Sequence, residues 1–260
     1  MKIAVFTSNA VRHKFVANTL AKHADEALIV SECKANDAPP EIIDRPLTPT
    51  EEHFFLRHKT EKEFFGGNDT FQAPVIPVLY KEANLPYIYE IVKKFNPDMA
   101  FVYGSCIIKE PLLSLPKPGR FINLHLGLSP YYRGAGTNFW PFINKELEYV
   151  GSTLLHIDAG VDTGDIISHV RPTIEKGDTV HTVGNKVIRD SAAALVRTIE
   201  IVKAGKELAR IPQWKVSDER YYRKADFNEE VLSKYYYNMK TGLIESYLSQ
   251  PQKELKIVNL

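Results

Sequence analysis

The chain has 260 residues, 44% of them hydrophobic and 25% charged, which suits one large globular domain or a domain with a small appendage. Its formal net charge of +1 provides no global field to hold it on nucleic acid or an anionic membrane. Two cysteines, Cys33 and Cys106, are too few for a disulfide framework. The first apolar run, Ile3–Phe6, is too short for a signal peptide and no later run reaches membrane-spanning length, so the expectation is a cytoplasmic, soluble protein.

In chain order, KIAVFTSN reads as a strand, followed by a helix to His23 and a second strand, ALIVSE. This βαβ rhythm predicts an α/β fold with a Rossmann-like open, mostly parallel twisted sheet flanked by helices. The first turn, Thr7-Ser8-Asn9-Ala10-Val11-Arg12-His13, lacks G-x-G-x-x-G, so a dinucleotide site is not supported. Free N–H groups at the helix start, with Arg12 and His13 beside them, can still hold a phosphate. The alternative is an ordinary exposed turn.

From Asn36 to Pro77 the pattern loosens, and Pro39, Pro40, Pro46 and Pro49 punctuate a loop. EEHFFLRHKTEKEFF then reads as an amphipathic helix stopped by Gly66-Gly67. Phe54, Phe55 and Phe64 are expected to pack, and Arg57 to face solvent or a ligand. His53 and His58 lack the H-E-x-x-H spacing, and no metal site is expected there. Pro86–Phe95 reads as a helix and MAFVYGS as a buried strand. FINLHLG, STLLHIDAG and DIISHVRPTI are three more strands. Asp178 is expected to cap a long helix that ends at Gly205. The remainder holds Trp214, Tyr221-Tyr222 and Tyr235-Tyr236-Tyr237, residues suited to a homodimer interface or to filling a core. The organisation read from this is a catalytic domain over 1–205 with an insertion at about 36–80, and a C-terminal extension over 206–260.

Three polar side chains stand at the ends of apolar runs: Asn123 and His125 in INLHLG, and Asp162 in the turn AGVDTGD. Strand carboxyl ends of an open α/β sheet converge on one crevice, so residues distant in sequence can meet there. A carboxylate orients an imidazole and stabilises its protonated form, and an amide can donate to an oxyanion. A lone strand-end histidine is more often structural, and that reading is given to His156 and His169. Asp165 suits a turn or cap.

The run PDMAFVYGSCIIKEPLLSLPKPGRFINLHLGLSPYYRGAGTNFWPFINKELEYVGSTLLHIDAGVDTGDIISH closely resembles the catalytic core of folate-dependent formyltransferases. The shared marks are Tyr-Gly with an apolar loop, Asn-x-His, Leu-Ser-Pro-x-Tyr-Arg-Gly, a Gly-x-Thr strand and Asp-Thr-Gly, over about Pro97–Thr182. The resemblance implies a catalytic Asn123, His125 and Asp162, and 10-formyltetrahydrofolate as co-substrate with no metal. It places Ser105, Cys106, Ile107, Ile108 and Lys109 on the loop that holds the pterin. Asp158, Gly160, Val161 and Asp162 fall on the loop that closes over it, and Ser-Pro-Tyr-Tyr-Arg-Gly borders the acceptor.

Within that family, the short Tyr-rich tail and near-neutral charge differ from methionyl-tRNA formyltransferase. The Thr-Ser-Asn-Ala-Val-Arg-His turn and the insertion differ from the glycinamide ribonucleotide enzyme. A deformylase would carry a regulatory domain before the first strand. What remains resembles the nucleotide-sugar N-formyltransferases of O-antigen and lipopolysaccharide biosynthesis, whose acceptor is a GDP- or dTDP-linked 4-amino-dideoxy sugar, such as GDP-perosamine. Ser8, Asn9, Arg12, His13, Arg57, Tyr131, Tyr132 and Arg133 are the candidates to bind its diphosphate and base. A catalytically dead folate- or nucleotide-binding homologue is the non-enzyme alternative. No membrane or nucleic-acid partner is expected.

Overall fold

The computed structural model describes residues 1–35, 44–158, 160–217, 219–251 and 253–260. Residues 36–43, with Pro39 and Pro40, and Ala159 of the predicted closing loop lie outside the described residues. The first strand, β1 (Lys2–Ser8), runs parallel to β2 (Glu26–Glu32), with Ile3 opposite Ala27 and Ser8 opposite Glu32. Helix α1 (Val11–Lys22) makes the crossover. Next come α2 (Pro49–Phe65), the edge strand β3 (Val75–Val78), α3 (Pro86–Phe95), β4 (Met99–Val102) and β5 (Phe121–His125). These strands are parallel, and β4 is buried along its whole length, as a strand covered on both faces must be.

After β6 (Tyr132–Gly134) and α4 (Trp140–Asn144), strand β7 (Ser152–His156) runs antiparallel to β5 and to β8 (Ile166–Val170). The seven-stranded order is β3-β2-β1-β4-β5-β7-β8. The antiparallel pairing of β7 with β8 has a simple cause. The link from β7 to β8 is too short for the crossover of a dozen or more residues that a parallel pair needs, so the two form a hairpin. That hairpin loop carries Asp162. Helix α5 (Val180–Lys203) packs back on the sheet, followed by β9 (Arg220–Tyr222), α6 (Glu229–Lys240) and α7 (Leu243–Ser249). β9 pairs in parallel with β6 as a separate two-stranded sheet. Among the described residues, no helix is long and apolar enough to cross a membrane.

One apolar layer joins β1, β4 and β5 to α1 and α5 through Val5, Phe101, Ile122, Leu20 and Leu195. The opposite face packs Phe6, Val30 and Ala100 against Ile88 and Val92 of α3. A third cluster unites Trp140 and Phe142 of α4 with Val183 and Val187 of α5, Tyr235 of α6 and Ile244 of α7. Residues beyond 205 therefore share a core with the rest of the chain. The ring of Tyr222 stacks on Trp140 at 4.0 Å between centroids. The strand order changes direction between β1 and β4, and the crevice outside their carboxyl ends is the usual ligand position in such a sheet.

Several local expectations need correction. In α2 the buried positions are His53, Glu61 and Phe65, while Phe55 and Phe64 are 42% and 38% exposed. These buried residues recur every four or eight positions, and the stripe meets α1 through the Arg12–Glu61 ion pair and the stacking of Phe65 on Phe15 at 4.5 Å between centroids. Pro49 opens α2 instead of belonging to a loop, with Thr48 as N-cap and Glu51 completing a capping box. Helix α5 is capped by Thr179; Asp178 instead accepts from Thr182 Oγ1 and from Lys186. The end of the expected insertion, Val75–Val78, is an edge strand of the main sheet.

Candidate active site

Asn123 and His125 lie two residues apart on β5, so the pleat turns both to one face of the sheet. The β7–β8 hairpin folds over that face and delivers Asp162. Its Oδ1 accepts from Asn123 Nδ2 at 2.6 Å, and its Oδ2 stands 3.3 Å from His125 Nδ1. His125 Nε2 faces the Tyr132 carbonyl oxygen at 3.4 Å, so a protonated ring can donate on both sides. Burial disfavours the Asp162 carboxylate, but the hydrogen bond and charge of His125, the Asn123 amide and Arg133 outweigh it and hold its pKa below the ordinary value. Asp162 sits at φ 53°, in the left-handed region that costs a non-glycine residue energy, so its surroundings must hold it there. Within the loop, Asp158 accepts from Gly160 N and Thr163 Oγ1 at 3.0 and 2.8 Å. A Cβ at Gly164 would lie 1.7 Å from the His156 carbonyl oxygen, so only glycine permits this close return.

A pocket of about 180 Å³ opens beside the cluster. Ser105, Cys106, Ile107 and Ile108 form one wall, Asp158, Gly160 and Val161 another, and Asn123 and Asp162 also line it. Ile107 and Val161 line it while keeping 55% and 59% exposure, apolar surface offered to a flat ring. Ser105 Oγ is buried without a hydrogen-bond partner in the protein. Burial first, then the neighbouring Glu32, push the Cys106 thiol up to about 11, so it is no nucleophile. Lys109 does not line the pocket; its backbone N–H is held by Asn84 Oδ1 at 2.8 Å and its side chain is exposed.

Residues 1–199 match the family described as formyl transferase. The chain belongs to the formyltransferase family. Among similar proteins, the methionyl-tRNA formyltransferase of Desulforamulus reducens is 34% identical over 161 residues, 57% of this chain and 49% of that one. That of Clostridium tetani is 40% identical over 112 residues, 42% of this chain and 35% of its own. The chain thus matches about half the length of these relatives or less. Among solved structures, a 4-N formyltransferase from Francisella tularensis aligns with TM-score 0.55 and 20% identity, covering 87% of this chain and 77% of that one. The N-formyltransferase of Helicobacter canadensis, in complex with folinic acid and dTDP-3-aminofucose, aligns with TM-score 0.55 and 18% identity over 88% and 73% of the two chains. At such identities these structures establish a shared fold.

The predicted acceptor residues fare unequally. Ser8 is buried at the end of β1, and Asn9 is spent on the Lys34 backbone at 3.0 and 3.2 Å. Arg12 Nη1 reaches both Glu61 oxygens at 2.7 and 2.9 Å, and Arg57 Nε lies 3.6 Å from the same carboxylate. The two guanidiniums converge around a shared buried anion. His13 is a correction: it is 6% exposed, its ring packs edge-on to Tyr103, and burial with nearby Arg12, Lys34 and Arg57 holds its pKa well below the ordinary value. A neutral buried ring gives a phosphate no cation. Tyr132 is a second correction, being 1% exposed with its hydroxyl on Glu146 and Asn144, so it cannot stack on a base. Tyr131 packs on Tyr149 and Trp214, and Arg133 pairs with Glu219 at 2.9 Å.

Sequence reasoning missed the braces. Glu32 is fully buried and accepts from Lys81 N and Cys106 N at 2.9 and 3.0 Å, with Lys34 Nζ at 3.1 Å, so it pins the pocket loop to β2. Asn84 adds a bond to the Ile107 carbonyl at 2.8 Å. The signal for Glu32 was present: a carboxylate ending the otherwise apolar strand ALIVSE needs a partner. His156 and His169 are structural as expected, bonded to the Ala209 and Ser129 carbonyls at 2.9 and 2.7 Å. Asp165 pairs with Arg210 at 3.2 Å at the start of β8.

Proposed function

We propose that this protein transfers a formyl group from 10-formyltetrahydrofolate to the primary amine of a nucleotide-linked amino sugar, a GDP- or dTDP-linked 4-amino-dideoxy sugar such as GDP-perosamine, in O-antigen or lipopolysaccharide biosynthesis. The observation that carries the chemistry is the meeting of Asn123, His125 and Asp162 beside a partly apolar pocket. The pocket fits a pterin: apolar side chains can flank a flat ring, while the unpartnered Ser105 hydroxyl and the loop backbone can bond its heteroatoms.

The bound folate supplies an activated formyl carbon on nitrogen, which the acceptor amine attacks. Asn123 has a second amide hydrogen to give the negative charge growing on the formyl oxygen, and His125 can give the same charge its Nε2–H once that group leaves the Tyr132 carbonyl it faces at 3.4 Å. Each such donor contributes about 3–4 kcal/mol to transition-state stabilisation. Asp162, ionised and held by both neighbours, fixes the imidazole and takes the proton that the amine loses, directly or through water. The proton taken by Asp162 has to reach the departing folate nitrogen for the transfer to balance, and we assign that relay to His125.

The acceptor assignment is supported by the cations at the sheet crevice. Arg12 and Arg57 meet at one carboxylate, Glu61, near the α1 N-terminus, and guanidiniums are the side chains suited to a diphosphate. The Helicobacter canadensis neighbour, whose complex holds a dTDP-linked amino sugar, supports it too. The names of the curated relatives favour a second reading, formylation of charged initiator tRNA. Against it stands a net charge of +1, which offers little phosphate neutralisation. Incubation with 10-formyltetrahydrofolate and a panel of GDP- and dTDP-linked 4-amino sugars, glycinamide ribonucleotide and charged initiator tRNA, read by mass spectrometry, tests the assignment. A formyl group gained by a nucleotide sugar is expected; formylation of the tRNA or the ribonucleotide alone overturns the acceptor.

A further inference from the structure

Beyond the matched residues 1–199, the chain returns to the site as a strap over residues 208–214. The Ala209 carbonyl is anchored on His156 Nε2 at 2.9 Å. Ile211 exchanges backbone bonds with Ile166 of β8 at 2.8 and 3.0 Å, and Arg210 pairs with Asp165. Trp214 packs edge-on to Tyr131 and His169, with Lys256 Nζ 4.3 Å from its ring centroid. Gln213 is fixed between these anchors. Its Nε2 donates to the Asp162 carbonyl at 2.8 Å and to the Gly164 carbonyl at 3.0 Å, on the backbone of the catalytic loop.

We propose that Gln213 is a positioning residue for Asp162: its amide grips the loop backbone on both sides of Thr163 and keeps the carboxylate against Asn123 and His125. The inference rests on the catalytic reading of Asp162 given above. Its physical basis is the strained φ of 53° at Asp162. Among the described residues, the loop's side-chain bonds within itself are those that Asp158 accepts from Gly160 and Thr163, and they do not engage the Asp162 backbone. Gln213 supplies the hold from outside, and both hydrogens of one amide nitrogen serve two carbonyls that point the same way. A misplacement of about 1 Å at a reacting group can cost on the order of 100-fold in rate. Asp162 therefore depends on a side chain from the segment that follows α5.

Two substitutions of equal length separate positioning from packing. Gln213→Met keeps the volume and removes the donor; Gln213→Glu keeps the shape but sets a carboxylate against two carbonyl oxygens. With 10-formyltetrahydrofolate and a GDP-linked 4-amino sugar, both are expected to lose about 10- to 100-fold in kcat while both KM values stay within about threefold. The Gln213→Glu rate relative to wild type is expected to recover as pH falls from about 8 to about 5.5, because a protonated carboxyl regains one donor. In the protein without substrates, hydrogen exchange over residues 158–165 should quicken in both variants while β1 is unchanged, an arm that needs no acceptor. Unchanged kcat and unchanged exchange in both variants, beside an inactive Asp162→Asn, overturn the role of Gln213 and leave the catalytic reading standing. Full activity in Asp162→Asn overturns that reading itself, and the exchange arm still decides whether Gln213 holds the loop.

Discussion

His53 on α2 and His181 on α5 face each other inside an aromatic cage, and acid should pry them apart. Their ring centroids are 4.5 Å apart, and they are 6% and 8% exposed. Phe139, Phe227 and Tyr235 surround His53, whose Nδ1 is buried without a partner. Burial, then the charge of Arg57, push the His53 pKa down from 6.5 to about 4. Burial and the neighbouring His53 and Arg57 lower His181 in the same direction. A histidine held below its ordinary value stabilises the fold fully above the unfolded pKa. Below about pH 6.5 the unfolded chain binds the proton first, and stability falls until the folded pKa is reached. At pH 5, about 1.5 pH units below the unfolded value, His53 alone has removed about 2 kcal/mol, and His181 acts with the same sign. Against a total of about 5–15 kcal/mol this is readily measured. His53→Phe places an apolar ring among aromatic neighbours and removes one titrating group. Urea unfolding at pH 7 and pH 5 should show the variant losing about 2 kcal/mol less than wild type on acidification. Identical losses in the two proteins, within about 0.5 kcal/mol, would refute the reasoning. Because α2 also carries Arg57 and Glu61, the same acid step should loosen the cationic side of the crevice.

Asp162→Asn should keep the fold, since asparagine tolerates the positive φ, and lower kcat by about 100- to 10,000-fold in a formyl-transfer assay; activity within about threefold of wild type removes its role. The carboxylate's own contribution to stability has the same sign as that of the histidines but falls in a more acidic window. With its pKa held below 3.8, it is present above that pH and lost on further acidification, which an acid titration of wild type against Asp162→Asn should show. At Gly127 a Cβ would fall 2.5 Å from His125 Nε2 and 2.7 Å from Thr137 Cβ, so Gly127→Ala should displace the imidazole. The expected result is a fall in kcat with about 1–3 kcal/mol of destabilisation by urea unfolding. Glu32→Ala strands two backbone donors and Lys34, so calorimetry should show weaker binding of 5-formyltetrahydrofolate and unfolding a stability loss of about 3–5 kcal/mol.

The strands were legible because their signals are local, and the candidate trio because its short motifs resemble those of a known family. Unbroken apolar runs such as MAFV mark buried strands, and Asn-x-His and Asp-Thr-Gly stand where those runs stop. The orientation of β7 was less legible, because strand type does not follow from composition. The brevity of the β7–β8 link decides only that these two strands oppose each other, and that link can be measured only once both strands are placed. Side-chain burial on α2 was misread because the Arg12–Glu61 pair joins residues 49 positions apart and draws a polar face inward. Tyr132 looked like a nucleobase platform until Glu146 and Asn144 were seen to hold its hydroxyl inside. Gln213 carries no motif at all. Its meaning comes only from the strap that lays it on the Asp162 loop.

The most direct measurement is a crystal structure of the protein with 5-formyltetrahydrofolate bound. The pterin should lie between residues 105–108 and 158–164, with the nitrogen that carries the transferable carbon within hydrogen-bond or one-water reach of Asn123, His125 and Asp162. A folate seated outside that pocket, or one whose reacting end points away from all three side chains, would contradict a formyl transfer carried out by this trio.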